Sequence, residues 1–300
     1  MDMTQNKCCR HGASLRRRRR RRRKILRSII FSCSIIAVAV FVAVGSRMIT
    51  SGDGGTNRYD VEAGNNIYDN AVIENSKISE NNKIQNEQSM LDDIMNSTQY
   101  PKQLQELALK NEEALEFVYD YPTEHVKEHT IDLTEEASMD SVPLFVQWDK
   151  RWGYEKYSGN FFAASGCGPT TLSMVVVYLT HNRDASPLAV AKYSKEAGYS
   201  VDGSGSSWTL ISEGCRHYGV KAKTVALDES RMKAELDAGH PIVVNVGPGD
   251  FTDTGHFMVI TGYDDEGFSI NDPNSIEKSG KRWLFKNISS QIRAVWSMYV

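Results

Sequence analysis

The chain has 300 residues, 40% of them hydrophobic and 24% charged, which is enough for one or two folded domains. Its net charge of −3 hides an asymmetry: residues 1–27 hold twelve Lys or Arg against Asp2 alone, while the remainder holds 23 basic against 37 acidic residues. Five cysteines without a CxxC pair, and without a His/Cys cluster at ligand spacing, exclude a zinc site, and no cofactor is expected.

The basic tail, residues 1–27, includes an unbroken arginine run at residues 16–23. Such a run suits nucleic acid. It abuts residues 28–46, however, which are uncharged and mostly apolar. A bilayer-spanning helix needs about 17 to 25 such residues. Basic residues stay on the cytoplasmic side. The expectation is therefore a single-pass signal-anchor at the cell membrane, with a cytoplasmic N-terminus and an extracellular remainder. The arginines then meet anionic lipid head groups, and nucleic acid is not an expected partner. The alternative is a signal peptide cleaved near Ala43-Val44-Gly45, which would release a secreted protein.

Residues 47–100 are rich in Asn, Ser, Gly, Asp and Glu and poor in aromatics. They predict a flexible polar stalk, with at most a helical turn or two over residues 84–95. From Pro101 onward Leu104, Leu107, Ala108, Leu115 and Val118 recur within a Glu- and Lys-rich stretch. That pattern predicts one or two helices ending before Tyr121-Pro122. This helical extension, residues 101–140, is expected to pack on the domain that follows. The sharper alternative is a propeptide-like plug in that domain's cleft.

The main domain covers residues 141–300. Helices are predicted near residues 167–180, 187–198, 208–218 and 229–238, and strands near 241–247, 256–263, 267–272 and 281–286. Helices first and strands later make an α+β domain of two halves. Residues 203–207 are a Gly/Ser loop that enters a helix at Trp208. The loop lacks the lysine of a phosphate-binding loop, so nucleotide binding is not expected. Trp208 reads equally as a substrate contact or as core.

Cys167 carries the strongest chemical signal. It lies in Ser165-Gly166-Cys167-Gly168-Pro169-Thr170, ahead of Leu172, Val175, Val176 and Leu179. Those apolar positions recur on one helix face, and Pro169 suits a first helical turn. The thiol therefore stands at a helix N-terminus, where the dipole and free N–H groups favour the thiolate. Gly166 leaves room for a substrate backbone. A disulfide with Cys215 would disable this thiol and is the bland alternative.

Downstream, Thr254-Gly255-His256-Phe257 opens an apolar strand, the segment 264–267 reads as a turn, and a second strand ends at Asn271-Asp272-Pro273. The hairpin brings His256 and Asp272 together. A cysteine at a helix N-terminus, a histidine and a carboxylate on neighbouring strands make a nucleophile, base and orienter. Asn271 is the rival orienter. Gly255, beside the histidine, is a candidate for substrate binding.

These segments, together with residues 142–153 (Val-Pro-Leu-Phe-Val-Gln-Trp-Asp-Lys-Arg-Trp-Gly), resemble the papain-like cysteine peptidases of family C39. The likeness is to the stand-alone C39-like type of Gram-positive bacteria, and it spans roughly residues 100–300. The resemblance implies a papain-like α+β fold with an N-terminal helical half and a C-terminal antiparallel sheet half. It also implies Cys167 as nucleophile, His256 as base and Asp272 as third member. Gln147 is the candidate oxyanion donor, alongside the backbone N–H of Cys167. Founding members are fused to transporters that export double-glycine peptides. This sequence has no nucleotide-binding segment, so leader processing is not carried over.

The expectation is thus a membrane-anchored extracytoplasmic cysteine peptidase, a monomer acting on a peptide or protein. Rival readings are an amidase or transpeptidase acting on cell-wall peptides, or a non-catalytic papain-like domain that binds peptide or wall polymer.

Overall fold

The computed structural model describes the backbone of residues 62–300 and the side chains of residues 79–300. The basic tail, the apolar segment at 28–46 and the first part of the expected stalk lie outside the described residues. Among the described residues, no helix is long and apolar enough to cross a membrane.

The polar stretch read as a stalk is helical: α1 spans Glu62–Asn96. It contains no proline and one glycine, so little interrupts it once started. Its C-terminal end is held by packing. Ile94 is fully buried, with Met90 and Leu91 against the same cluster. Gln105 Nε2 donates to the Ile94 and Ser97 carbonyls, which helps satisfy the helix end. Tertiary contact thus supplies what the weak sequence pattern lacks.

The extension continues as α2 (Lys102–Lys110) and α3 (Leu115–Tyr119), with a 3₁₀ turn between them. A further helical turn, Tyr121–Glu124, runs through the Tyr-Pro pair. α3 thus ends before Tyr121-Pro122 as expected, and Pro122 falls in the first turn of the new helical turn, where its missing N–H costs nothing. Leu104, Leu107, Leu115, Phe117 and Val118 bury their side chains with Phe161 and Ala163 of the main domain. Phe117 stacks on Tyr154 at 4.2 Å, and Lys150 pairs with Asp120 at 2.7 Å. The extension is therefore packed onto the domain, and Val72–Val300 makes one compact unit.

In chain order the domain then contains the ribbon β1 (Lys156–Tyr157) and β2 (Asn160–Phe161), then α4 (Cys167–Thr180) and α5 (Pro187–Glu196). A second ribbon follows, β3 (Ser200–Val201) and β4 (Gly205–Ser206). After it come β5 (Lys221–Thr224), α6 (Glu229–Asp237), β6 (Ile242–Val246), β7 (His256–Asp264), β8 (Gly267–Asn271), β9 (Arg282–Trp283) and β10 (Ile292–Tyr299). The helix expected over 208–218 is broken into Thr209–Ser212 and a 3₁₀ stretch, Gly214–Tyr218. Gly214 sits against the Tyr199 ring at the break.

Six strands form one antiparallel sheet in the order β5-β10-β6-β7-β8-β9. The C-terminal strand β10 lies inside this sheet and was not among the expected strands; nor was β5. The expected strand at 281–286 shortens to β9, because Phe285 starts a helical turn. One sheet face packs on the nearly all-buried α4, through Val175, Val176, Val243, Phe257 and Val259. The other face packs Val244, Met258 and Ile260 against Met232 of α6. The mixed helical and antiparallel architecture matches the papain-like α+β expectation.

Candidate active site

Cys167 is the first residue of α4, with Gly166 at the cap. The Gly166 carbonyl accepts the Thr170 N–H at 3.0 Å and its hydroxyl at 2.8 Å, so the first turn is closed immediately behind the thiol. Gly166 is buried, and a Cβ there would lie 2.5 Å from the Phe162 ring. Its glycine is demanded by that ring. Gly168 is similar: a Cβ would lie 2.5 Å from Ser206 Oγ on β4. Both glycines set the close packing that fixes the helix start.

His256 opens β7 opposite Val246 of β6. Asp272 follows directly on β8, the next strand of the sheet. His256 Nε2 and Asp272 Oδ1 are 2.7 Å apart, with the histidine 6% and the aspartate 0% exposed. The other ring nitrogen, Nδ1, is left for the Cys167 sulfur. Burial alone would raise the thiol. The interaction with His256, with the N–H groups of Phe257 and Gly168, outweighs it and holds the thiol below its ordinary value. Burial likewise works against the imidazolium, yet Asp272 and Cys167 overcome it and hold His256 well above its usual range. The two shifts favour a thiolate–imidazolium pair. Cys167 is half-buried and Cys215 fully buried; both are free thiols. Burial pushes Cys215 up to about 11, so the two cysteines have opposite character.

Asn271 points elsewhere. Its Nδ2 donates to the Val142 and Pro143 carbonyls at 3.0 and 3.1 Å. It ties the strand to the start of the domain, and the contact with His256 belongs to Asp272.

Gln147 is 4% exposed. Its Nε2 donates to the Ala163 carbonyl at 2.8 Å, in the turn just ahead of Cys167. The reversed amide would set two oxygens against each other, so this orientation is fixed. One amide N–H remains uncommitted. Trp208 is 47% exposed and meets Trp296 edge-on at 6.0 Å. Trp296 in turn faces Phe257 at 6.4 Å. Trp208 is thus an exposed aromatic joined by two ring contacts to the strand that donates to the nucleophile. Gly255 is exposed, and a Cβ there would meet nothing closer than the Val246 carbonyl at 4.0 Å.

Two supporting residues carried no sequence signal. Asn245 on β6 donates Nδ2 to the His256 carbonyl at 3.2 Å. Tyr157 sends its buried hydroxyl to Ser194 and Ser206 at 2.8 and 2.6 Å, behind the wall that Gly168 touches.

A thiol at a helix start, an imidazole beside it and a buried carboxylate behind the imidazole are chemically able to serve as nucleophile, base and orienter. The chain belongs to the Peptidase_C39 like family, whose signature matches residues 139–300. Membership suggests cysteine peptidase activity.

Among solved structures, the peptidase domain of Streptococcus ComA, a bi-functional ABC transporter involved in a quorum sensing pathway, is similar at 18% identity. It covers 53% of this chain and 96% of its own, with a TM-score of 0.39. A putative C39-like peptidase from Bacillus anthracis is similar at 16% identity, covering 53% and 95%, with a TM-score of 0.34. A double glycine motif protease from an AMS/PCAT transporter, solved with its leader peptide, is similar at 19% identity, covering 53% and 91%, with a TM-score of 0.34. No curated protein matches the chain.

Proposed function

We propose that this protein is an extracytoplasmic cysteine peptidase, tethered by residues 28–46, that hydrolyses peptide bonds through Cys167, His256 and Asp272. The observation that carries the reading is the single imidazole of His256, held by Asp272 Oδ1 at 2.7 Å and interacting with Cys167 at a helix start strongly enough to lower the thiol. In this reading the thiolate attacks the substrate carbonyl carbon. The imidazolium then gives its proton to the leaving amine as the C–N bond breaks. Water attacks the resulting thioester, His256 takes its proton, and the C–S bond breaks to release the acid and restore the pair. The Cys167 backbone N–H and the uncommitted Gln147 amide N–H are the donors proposed for the oxyanion. Trp208 and Gly255 are proposed to flank the substrate.

The reading is tested by labelling the purified protein with a thiol-reactive peptide electrophile and by scanning a peptide library for hydrolysis. Wild type is expected to label at Cys167 and cleave, and Cys167→Ala to do neither. Hydrolysis that survives Cys167→Ala rejects the assignment. Placement is tested by adding protease to intact cells, which should remove residues 141–300 and spare the basic tail. Full protection of those residues rejects the proposed topology.

A further inference from the structure

The loop that carries the candidate orienter is held from outside the family domain. Asp272 begins a tight turn: its carbonyl accepts the Ser275 N–H at 3.1 Å, and its Oδ1 accepts the Asn274 N–H at 2.8 Å as well as facing His256. The carboxylate that faces His256 is thus aimed by the geometry of residues 272–275. Within the domain, Gln147 N donates to the Pro273 carbonyl at 2.7 Å and Trp148 Nε1 to the Asn274 carbonyl at 3.3 Å. Ser279 Oγ also accepts the Asp272 N–H at 2.9 Å and donates to the Ser275 carbonyl at 2.7 Å. Further contacts come from the turn between α2 and α3, some 160 residues away in sequence. Asn111 Nδ2 donates to the Asn274 carbonyl and side chain at 2.9 and 3.1 Å. Glu113 accepts the Ser275 hydroxyl on Oε1, and on Oε2 the Ile276 and Glu277 N–H groups at 2.7 and 3.1 Å. The two residues also brace each other, because Asn111 Oδ1 accepts the Glu113 N–H at 3.0 Å. Asn111 and Ser275 are buried, so the bonds those two make are shielded from water, while the Glu113 bonds to the Ile276 and Glu277 N–H groups lie at the surface. The family signature starts at residue 139, so both clip residues precede it.

We propose that Asn111 and Glu113 are positioning residues for the reaction: the N-terminal extension clamps the 272–277 loop and thereby aims Asp272 at His256. The inference rests on the peptidase reading for its purpose but not for its measurement. Glu113 is a multiple acceptor, so its loss leaves three donors to find new partners, and the turn they belong to relaxes. An Asp272 carboxylate that drifts from Nε2 supports the imidazolium less, and the thiolate of Cys167 with it. The extension itself stays attached through other contacts, such as Lys150 to Asp120 and Tyr154 Oη to the Phe117 carbonyl.

The test is the pH profile of Cys167 alkylation by iodoacetamide in the full-length chain, read beside peptide hydrolysis. Glu113→Ala is expected to move the acid limb upward by about one unit, which is about a tenfold loss of rate on that limb. Ser275→Ala, a milder change should Glu113→Ala fold poorly, is expected to move it the same way by less. Lys150→Met, which loosens the extension at a contact remote from the loop, is expected to lower the melting temperature without moving the limb. An acid limb identical to wild type in folded Glu113→Ala and Ser275→Ala overturns the inference. So does an equal shift in Lys150→Met, which would make the effect general loosening. A wild type with a low acid limb but no peptide hydrolysis would instead overturn the peptidase reading and leave the clamp standing.

Discussion

Asn271 and Asp272 are neighbours in the chain and serve opposite masters. The amide of Asn271 is spent on the Val142 and Pro143 carbonyls, while the carboxylate of Asp272 faces His256 at 2.7 Å. Successive residues leaving a strand point to opposite faces, so only one of the two can reach the histidine. Asp272→Asn should keep the fold and lower turnover at least about a hundredfold, because the amide neither fixes the tautomer nor supports the imidazolium. Asn271→Ala should retain turnover and lose roughly 1–2 kcal/mol of stability, since two partly buried carbonyls lose their donor. Steady-state kinetics and thermal melts of both variants check this, and a reversed pattern would move the orienter to Asn271. Combining Asp272→Asn with Cys167→Ala should be no worse than Cys167→Ala alone, because the groups act as a unit.

Gly166 and Gly255 precede Cys167 and His256 in the chain, yet only one is hemmed in. A Cβ on Gly166 would lie 2.5 to 2.7 Å from three atoms of the Phe162 ring, whereas one on Gly255 meets only the Val246 carbonyl, at an unstrained 4.0 Å. Gly166→Ala should cost about 1–3 kcal/mol through overpacking, without any substrate present. Gly255→Ala should melt close to wild type and show its effect in KM. Equal melting temperatures for the two variants would contradict this account of Gly166.

Glu235 on α6 binds three elements behind the site. It accepts from Lys223 of β5 at 2.9 Å, from Ser297 of β10 at 2.7 Å and meets His240 at 3.1 Å. The Lys223 bond, then those of Ser297 and His240, lower its carboxyl from 4.5 to about 2. A depressed carboxyl stabilises the fold above its unfolded value and loses that contribution as pH falls through its folded value. Stability should therefore drop between about pH 4.5 and 2. Solvent at its edge limits the contribution to roughly 1–2 kcal/mol. Glu235→Gln should be less stable at neutral pH and show a shallower acid loss in denaturant titrations. A variant whose acid loss is as steep as wild type's would assign that loss to other carboxylates.

The parts of the site legible in the sequence were those written locally. Gly166 and Pro169 around Cys167 mark a helix start, and α4 runs over Cys167–Thr180 as the apolar spacing predicts. The turn at 264–267 between apolar runs places His256 and Asp272 on neighbouring strands. What escaped depends on distance. Asn245 reaches the His256 carbonyl across β6 and β7, and nothing local distinguishes it from other strand residues. Asn111 and Glu113 meet the 272–277 loop only after the extension has docked. The interior strand β10 was missed although Ile292, Val295, Trp296 and Met298 are buried, because its partners β5 and β6 lie far upstream. The helical α1 was missed because packing of Ile94, not its polar sequence, secures its end.

The pair formed by Cys167 and His256 makes a definite statement about pH. Reactivity needs the thiolate and the imidazolium together. The thiol is lowered from 9.0, chiefly by His256 acting against burial, so the thiolate forms below the ordinary thiol range. The imidazole is raised from 6.5, chiefly by Asp272 acting against burial, so it keeps its proton above the ordinary histidine range. The pair therefore exists from the depressed thiol value up to the elevated imidazole value. Alkylation and turnover should rise along an acid limb set by Cys167, below 9.0. Turnover should fall along an alkaline limb set by His256, well above 6.5. Asp272→Asn should narrow the window from both sides, since the imidazolium loses its largest support and the thiolate loses part of the imidazolium's. An alkylation rate that climbs through pH 8–9 as for an unperturbed thiol would show that the pair does not form. An alkaline limb that stays in place in Asp272→Asn would show that Asp272 does not support it.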